Sequence, residues 1–286
     1  MVSLTQLECS LPKALGEALF DFLEEDALSV SLNEETLEQW QLLIIINPLA
    51  ETPIRQKITS FLQDHLRSIP PITTRVLAPT DWVKAVHQDL HPLTIGRFYV
   101  YGSHAQENPP ADLLPLQIDA ATAFGSGHHE STEGCLKALS LLAKQSSFQK
   151  PLDMGCGSGV LAMAMARLWE VPVLACDNDP EAVRVTTENA HLNHLDTLIK
   201  AQVSDGFTGL PMRNFDIITA NILAGPLCHM AQEALDVLTP GGAIVLAGLL
   251  NRQAEDVIDA YRSAGAKLVE QLFIGEWSTL IMRKTE

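Results

Sequence analysis

The chain reads as two α/β domains in series: a small ferredoxin-like α+β domain over residues 1–78 and a Rossmann-like, doubly wound sheet over 126–286, joined by a connector at 79–125. Three observations carry this expectation. Before residue 78 the strand and helix periodicities follow one another as βαββαβ. After residue 150 strands and helices alternate regularly, then end on two strands with no helix between them. A glycine-rich turn, Gly155-x-Gly157-x-Gly159, follows the first strand of that second series. A length of 286 residues accommodates two hydrophobic cores.

In the first domain, residues 4–9 alternate as a strand. Pro12, suited to a first turn, opens a helix with Ala14-Leu15, Ala18-Leu19 and Phe22-Leu23 at helical spacing. Residues 27–32 and 40–46 read as strands. Thr52-Pro53 starts a helix carrying Ile54, Ile58, Phe61-Leu62 and Leu66, and 72–77 is the last strand. The connector holds a helical piece from Trp82 to His87, a strand at Phe98-Tyr99-Val100-Tyr101 and an exposed turn at Asn108-Pro109-Pro110.

In the second domain the expected strands are 151–153, 171–176, 198–203, 215–220, 242–249, 267–274 and 278–283. The expected helices are 160–169, 180–193, 226–238 and 254–264.

Charge and composition narrow the function. Lys and Arg number 19 against 35 Asp and Glu, a formal net charge of −16, so non-specific binding to a phosphate backbone is disfavoured and a basic protein partner is favoured. No run of about 18 uncharged apolar residues suggests a membrane span, and no basic region followed by an apolar stretch suggests a secretory signal. Cys9, Cys135, Cys156, Cys176 and Cys228 are odd in number, scattered and without C-x-x-C pairs, which speaks against a zinc site or a disulfide framework and for a reducing cytoplasm.

Ligands of open α/β sheets bind beyond the carboxyl ends of the strands. Three polar features fall there. The first is Asp153-Met154-Gly155-Cys156-Gly157-Ser158-Gly159. Its glycines allow a tight turn and close approach of a ligand, and amides at the start of the next helix favour negative charge. The spacing G-x-G-x-G is not the dinucleotide fingerprint G-x-G-x-x-G, so an NAD-dependent oxidoreductase is disfavoured. S-adenosylmethionine has no pyrophosphate, yet its carboxylate can use the same amides. The second is Asp177, 22 residues after Gly155, a carboxylate for ribose hydroxyls, whereas Asp179 before Pro180 suits a helix N-cap. The third is Asn221 in Asn221-Ile222-Leu223-Ala224, whose carbonyl can orient a substrate amine; a plain strand-end asparagine is the other reading. His128 and His129 are read as shaping a loop rather than as general bases, and Cys156 as a small residue that fits its turn.

Four segments make the chain resemble the bacterial ribosomal protein L11 methyltransferase family: Ala123-Phe124-Gly125-Ser126-Gly127-His128-His129, Leu152 to Gly159, Cys176-Asp177-Asn178-Asp179-Pro180, and Ala220-Asn221-Ile222-Leu223-Ala224-Gly225-Pro226-Leu227. Glu276-Trp277-Ser278-Thr279-Leu280 adds to the likeness, which covers about 120–286; the earlier domain matches in layout more than in residues. The resemblance implies a seven-stranded class I methyltransferase domain and a small substrate-recognising domain. It further implies methylation of lysine side chains and the N-terminal amine of ribosomal protein L11, with S-adenosylmethionine as cofactor. Its cofactor contacts carry over to Thr132, Gly155, Asp177 and Asn221, with Asn221 also the catalytic candidate and no metal. One departure is present: Ser126 stands where the family has threonine, and Glu130-Ser131-Thr132 covers a pair of adjacent threonines. Two other readings stay open at the level of sequence: a lysine methyltransferase acting on another protein, and a module that binds S-adenosylmethionine without catalysis.

Overall fold

The computed structural model describes residues 4–23, 26–34, 39–66, 68–77, 92–103, 105, 109–119, 130–210 and 213–285. The expected helical piece from Trp82 to His87, the Asn108 end of the expected turn, and the loop carrying His128 and His129 lie outside the described residues. Contacts divide the chain into two compact units, Met1–Gln88 and Asp89–Glu286.

The first unit contains β1 (Leu4–Pro12), α1 (Lys13–Leu23), β2 (Ser29–Glu34), β3 (Gln39–Ile46), α2 (Glu51–His65) and β4 (Thr73–Leu77). The sheet order is β2-β3-β1-β4, with every neighbouring pair antiparallel. Alternation decides the core: Leu7, Cys9 and Leu11 of β1 and Leu42, Ile44 and Ile46 of β3 pack with Leu19 and Leu23 of α1 and Ile54, Ile58 and Leu62 of α2. β1 runs on through Pro12, beyond the expected end at residue 9. The proline is tolerated because β4 pairs with β1 only as far as Glu8, so the missing N–H at Pro12 costs no bond on that side.

The second unit opens with β5 (Leu93–Ile95), β6 (Phe98–Tyr101) and β7 (Leu114–Gln117), a three-stranded sheet in the order β5-β6-β7. The stretch expected as a connector therefore differs from a linker: Ile95, Phe98, Val100, Leu116 and Ile118 are buried in the core of this unit. Then follow α3 (Glu130–Ala143), β8 (Pro151–Met154), α4 (Val160–Trp169), β9 (Val173–Asp177), α5 (Pro180–Leu192), β10 (Ile199–Val203) and β11 (Phe215–Asn221). The chain continues with α6 (Ala224–His229), α7 (Ala231–Val237), β12 (Leu238–Leu250), α8 (Ala254–Ser263), β13 (Ala266–Ile274) and β14 (Trp277–Lys284).

α3 is absent from the sequence expectation, although Cys135-Leu136, Leu139 and Leu142 recur at helical spacing and all are buried. The single helix expected over 226–238 is two, because Met230 at the junction has φ −92° and ψ 6°, outside the helical basin.

One sheet has seven strands in the order β10-β9-β8-β11-β12-β14-β13, parallel except for β14, which runs antiparallel to both neighbours. Both of its faces are covered, by α3 and α4 on one side and α6 to α8 on the other, so β8 and β11 carry near-continuous apolar runs. The order reverses between β8 and β11, which places the topological switch point there.

Candidate active site

Register aligns the three sequence features. Met154 of β8 pairs with Cys176 of β9 and with Ala220 of β11, and Asn221 pairs with Ala247 of β12. One residue further along, Asp177, Gly155, Asn221 and Ala247 stand side by side across four adjacent strands, the first three at or just past the carboxyl ends of β9, β8 and β11. At about 4.8 Å per strand this row spans roughly 14 Å, and Gly155 and Asn221 flank the switch point.

The glycine turn is built against β9. The amides of Gly155 and Cys156 both donate to Cys176 O, at 2.8 and 3.0 Å, and the Gly159 amide closes the turn on Cys156 O at 2.7 Å. Gly155 has φ 70°, and a β-carbon there would overlap the Ile222 Cγ2 methyl, so only glycine fits. The Gly157 amide, expected to face a cofactor, donates instead to Asp177 Oδ2 at 2.9 Å. Asp177 Oδ1 accepts from the Asp179 amide at 3.0 Å. The Asp177 carboxylate is thus oriented by two backbone donors, and each oxygen retains a lone pair. Asp179 accepts from the Glu181 amide at 2.9 Å and is the N-cap of α5, as its place before Pro180 suggested.

Asp153 lies below this row rather than on it. Alternation turns Leu152 and Met154 to one face of the sheet and Asp153 to the other, under α4. Its Oδ2 accepts from the Ala162 amide at 3.0 Å and its Oδ1 from the Thr219 hydroxyl at 2.7 Å. α4 has Gly159 at its N-cap and no capping side chain, so Asp153 satisfies one of the helix-start donors from the strand beneath. Burial pushes its pKa up to about 7, against the Thr219 and Ala162 hydrogen bonds that favour the ionised form. Expected as a cofactor contact, Asp153 spends both oxygens inside the protein.

α5 steadies the turn from outside. Thr186 donates to Gly157 O at 3.0 Å and Asn189 Nδ2 to Ser158 O at 2.8 Å. The same Asn189 accepts from the Asp119 amide at 3.2 Å, while Asn193 accepts from the Gln117 amide at 2.9 Å and donates back to Gln117 O at 2.7 Å. One helix therefore fixes both the glycine turn and the backbone leading into residues 120–129. Sequence reasoning passed over these residues. The available signal is a buried polar stripe at 186, 189 and 193, where an apolar stripe is the ordinary pattern.

Asn221 closes the site. Its Nδ2 donates to Thr132 Oγ1 at 3.3 Å, and Thr132 is itself buried in the first turn of α3. Asn221 Oδ1 is buried and, among the described residues, has no hydrogen-bond partner. An orphaned buried acceptor is uncommon in a folded protein and marks a place where a donor from outside belongs. Gly248, also missed in the sequence, has φ 85°; a β-carbon there would come within 2.7 Å of Ile222 C and 2.9 Å of Ile222 N.

Burial, then the nearby Asp153 carboxyl, raises the pKa of the Cys156 and Cys176 thiols, Cys176 to about 12; both are protonated and non-nucleophilic at neutral pH. Among the described residues no cluster of His, Cys, Asp or Glu could hold a metal ion, and no helix is long and apolar enough to cross a membrane.

Comparison with known proteins places these features in a family. The model of the family described as ribosomal protein L11 methyltransferase (PrmA) matches residues 5–285. The chain is 42% identical over 217 residues to a ribosomal protein L11 methyltransferase of Rhodopseudomonas palustris (strain BisB5), covering 75% of this chain and 74% of that one. It is 35% identical over 272 residues to the protein of the same name from Rhizobium meliloti (strain 1021), covering 93% of each. The crystal structure of a ribosomal protein L11 methylase from Lactobacillus delbrueckii subsp. bulgaricus shares the fold, with a TM-score of 0.63 and 24% identity, covering 68% of this chain and all of that one. A family match over nearly the whole length, joined to a glycine turn, an oriented carboxylate and an asparagine at one switch point, establishes that the chain belongs to the ribosomal protein L11 methyltransferase family.

Proposed function

We propose that this methyltransferase methylates lysine side chains and the N-terminal amine of ribosomal protein L11, taking methyl groups from S-adenosylmethionine. The observation that carries the reading is the buried Asn221 Oδ1 beside the glycine turn, which has no hydrogen-bond partner among the described residues. The donor set fits the cofactor: Gly155 leaves the turn bare of side chain, the Asp177 carboxylate accepts ribose hydroxyls, and Thr132 and Asn221 border the opposite side. When bound, S-adenosylmethionine supplies a methyl group activated by its sulfonium.

Asn221 Oδ1 accepts an N–H of the incoming amine and so fixes the direction of its lone pair. An amide takes no proton, so the amine must arrive neutral, and shedding of its ammonium proton to solvent precedes each transfer.

The domain reading takes 1–78 as a ferredoxin-like, substrate-recognising domain and 126–286 as the methyltransferase domain, with the stretch 79–125 between them contributing Ile95, Phe98, Val100, Leu116 and Ile118 to the core of the second unit. The βαββαβ order and the β2-β3-β1-β4 antiparallel sheet support the first of these. The net charge of −16 supports free, basic L11 in the cytoplasm as substrate over L11 assembled with ribosomal RNA, since the same charge repels nucleic acid. The acids of the small domain that would steer a basic partner are Glu24, Glu25, Asp26, Glu34, Glu35 and Glu38; Glu24, Glu25, Glu35 and Glu38 lie outside the described residues, and Asp26 is engaged by Lys57 at 2.6 Å.

The test is mass spectrometry of L11 after incubation with the enzyme and S-adenosylmethionine, free and within assembled subunits at matched concentration. Methylation of lysine and N-terminal peptides, faster on free L11, is expected. Unmodified free L11 overturns the substrate, and faster reaction on assembled subunits overturns the preference.

A further inference from the structure

Ile222 is held by three strands at once. It follows Asn221 at the end of β11, and its amide makes a bond to β12, donating to Ala247 O at 3.1 Å. Its Cγ2 methyl lies on the Gly155 backbone, where no β-carbon fits. Its own peptide lies on Gly248, where a β-carbon would stand 2.7 Å from Ile222 C and 2.9 Å from Ile222 N and would overlap the carbonyl oxygen. Gly248 belongs to an irregularity of β12: between Leu246 and Leu249 the pairing with β14 moves only from Leu280 to Ser278, so β12 holds one extra residue there. Such bulges bend a strand and re-aim what borders it.

We propose that Ile222, gripped between Gly155 and Gly248, is the positioning residue that sets the distance between the cofactor-binding turn and Asn221. The inference rests on the reading of Asn221 as the group that receives the substrate amine. Two features make the grip rigid. Isoleucine is branched at Cβ and stiff at χ1, so the place of Cγ2 is dictated by the backbone rather than chosen by the side chain. The two glycine surfaces that grip it are main chain, which has no rotamer to yield, while it also packs against the apolar core on the α6 to α8 side. Any change in the height of the glycine turn is therefore passed through Cγ2 to the peptide that carries Asn221. Misplacing a reacting group by about 1 Å can cost up to 10²-fold in rate, so a spacer of fixed size is useful between the donor side and the acceptor side.

The branch at Cβ makes the idea testable by shape. Valine keeps Cγ2 and loses only the distal methyl; leucine has the same number of carbons but no Cγ2, so it leaves Gly155 without its contact. The experiment compares wild type, I222V, I222L, N221A and N221A/I222L on free L11 for single-turnover rate, kcat, S-adenosylmethionine KM, melting temperature and S-adenosylhomocysteine affinity. I222V is expected to keep most of the rate. I222L is expected to lose about 10-fold or more in single-turnover rate, with S-adenosylhomocysteine affinity changed much less, and to fold. Because Ile222 acts through Asn221, I222L should add little once Asn221 is gone, a non-additive cycle. A slow N221A beside a wild-type rate in I222L, or an I222L loss undiminished in the N221A background, overturns this inference alone. A wild-type rate in N221A overturns the amine-receiving reading and this inference with it. G248A serves as a second probe of the same grip; a folded G248A with wild-type single-turnover rate also counts against it.

Discussion

The Gly157 amide donates to Asp177 Oδ2 at 2.9 Å, so the turn at the end of β8 and the carboxylate at the end of β9 hold each other in place. A carboxylate fixed in this way loses little further freedom when a ribose binds to it. Asp177→Ala is expected to weaken S-adenosylhomocysteine binding by about 1.5–3 kcal/mol, the range for a hydrogen bond to a charged group. Calorimetric titration measures it. An unchanged affinity in the folded variant removes Asp177 from the cofactor site.

Asn221→Ala is expected to lower the single-turnover rate more than it lowers S-adenosylhomocysteine affinity. The proposed acceptor for the amine disappears, while the turn and Asp177 remain. Saturating the cofactor should not restore the rate. A wild-type rate under those conditions contradicts the proposed role.

Asp153 predicts a pH dependence. Its pKa is raised by burial from 3.8 in its ordinary setting to about 7. An acid whose folded-state pKa is raised favours folding fully below about pH 4, and that contribution is lost as pH rises through about 7, at up to 1.4 kcal/mol per pH unit. The amide side chain of the Asp153→Asn variant would keep an acceptor for the Ala162 N–H and has no charge to bury. The stability of wild type relative to D153N should therefore fall between pH 4 and pH 7 in urea unfolding. A constant difference across that window would show that Asp153 does not titrate there.

Asn189→Ala strands two backbone groups, Ser158 O and the Asp119 amide, which Asn189 now serves at 2.8 and 3.2 Å. Each unsatisfied buried group costs about 1–3 kcal/mol. Hydrogen exchange should quicken at the amides of 155–159. Unaltered protection would mean that the turn is held without α5.

The strand–helix alternation and the three polar strand ends were legible because each is a local signal: a period, a glycine spacing, a proline after a capping aspartate. Asp177, Gly155 and Asn221 come together as strand-end position alone implies. Asp153 and the Gly157 amide were read as facing a ligand because sequence proximity to the turn does not reveal which side of a strand a residue takes. Once Leu152 and Met154 are known to face α6 to α8, alternation sends Asp153 inward. Gly248 and Ile222 were invisible for a different reason. Their relation exists only across β11 and β12, 26 positions apart in sequence, and depends on a bulge that no pattern of apolar residues encodes. α3 was passed over because Ser131, Thr132 and Gly134 interrupt the apolar pattern at its start; at Gly134 the absence of a side chain makes room for Thr279 of β14.

The buried pair Asp153 and Thr219 has a consequence for how the sheet finds its alignment. Apart from this pair, β8 and β11 bury apolar residues on both faces, so hydrophobicity alone tolerates their sliding past each other by two residues. Thr219 stands directly across from Asp153, and its hydroxyl is the donor that the carboxyl needs. A slide one way sets Ile217 opposite Asp153 and leaves a buried oxygen with no donor. A slide the other way draws Asn221 down into the sheet and off the rim. The pair thus works as a keyway: a molecule that has closed its sheet with Asp153 matched to Thr219 has, by the same event, raised Asn221 to the rim, level with Gly155 and Asp177.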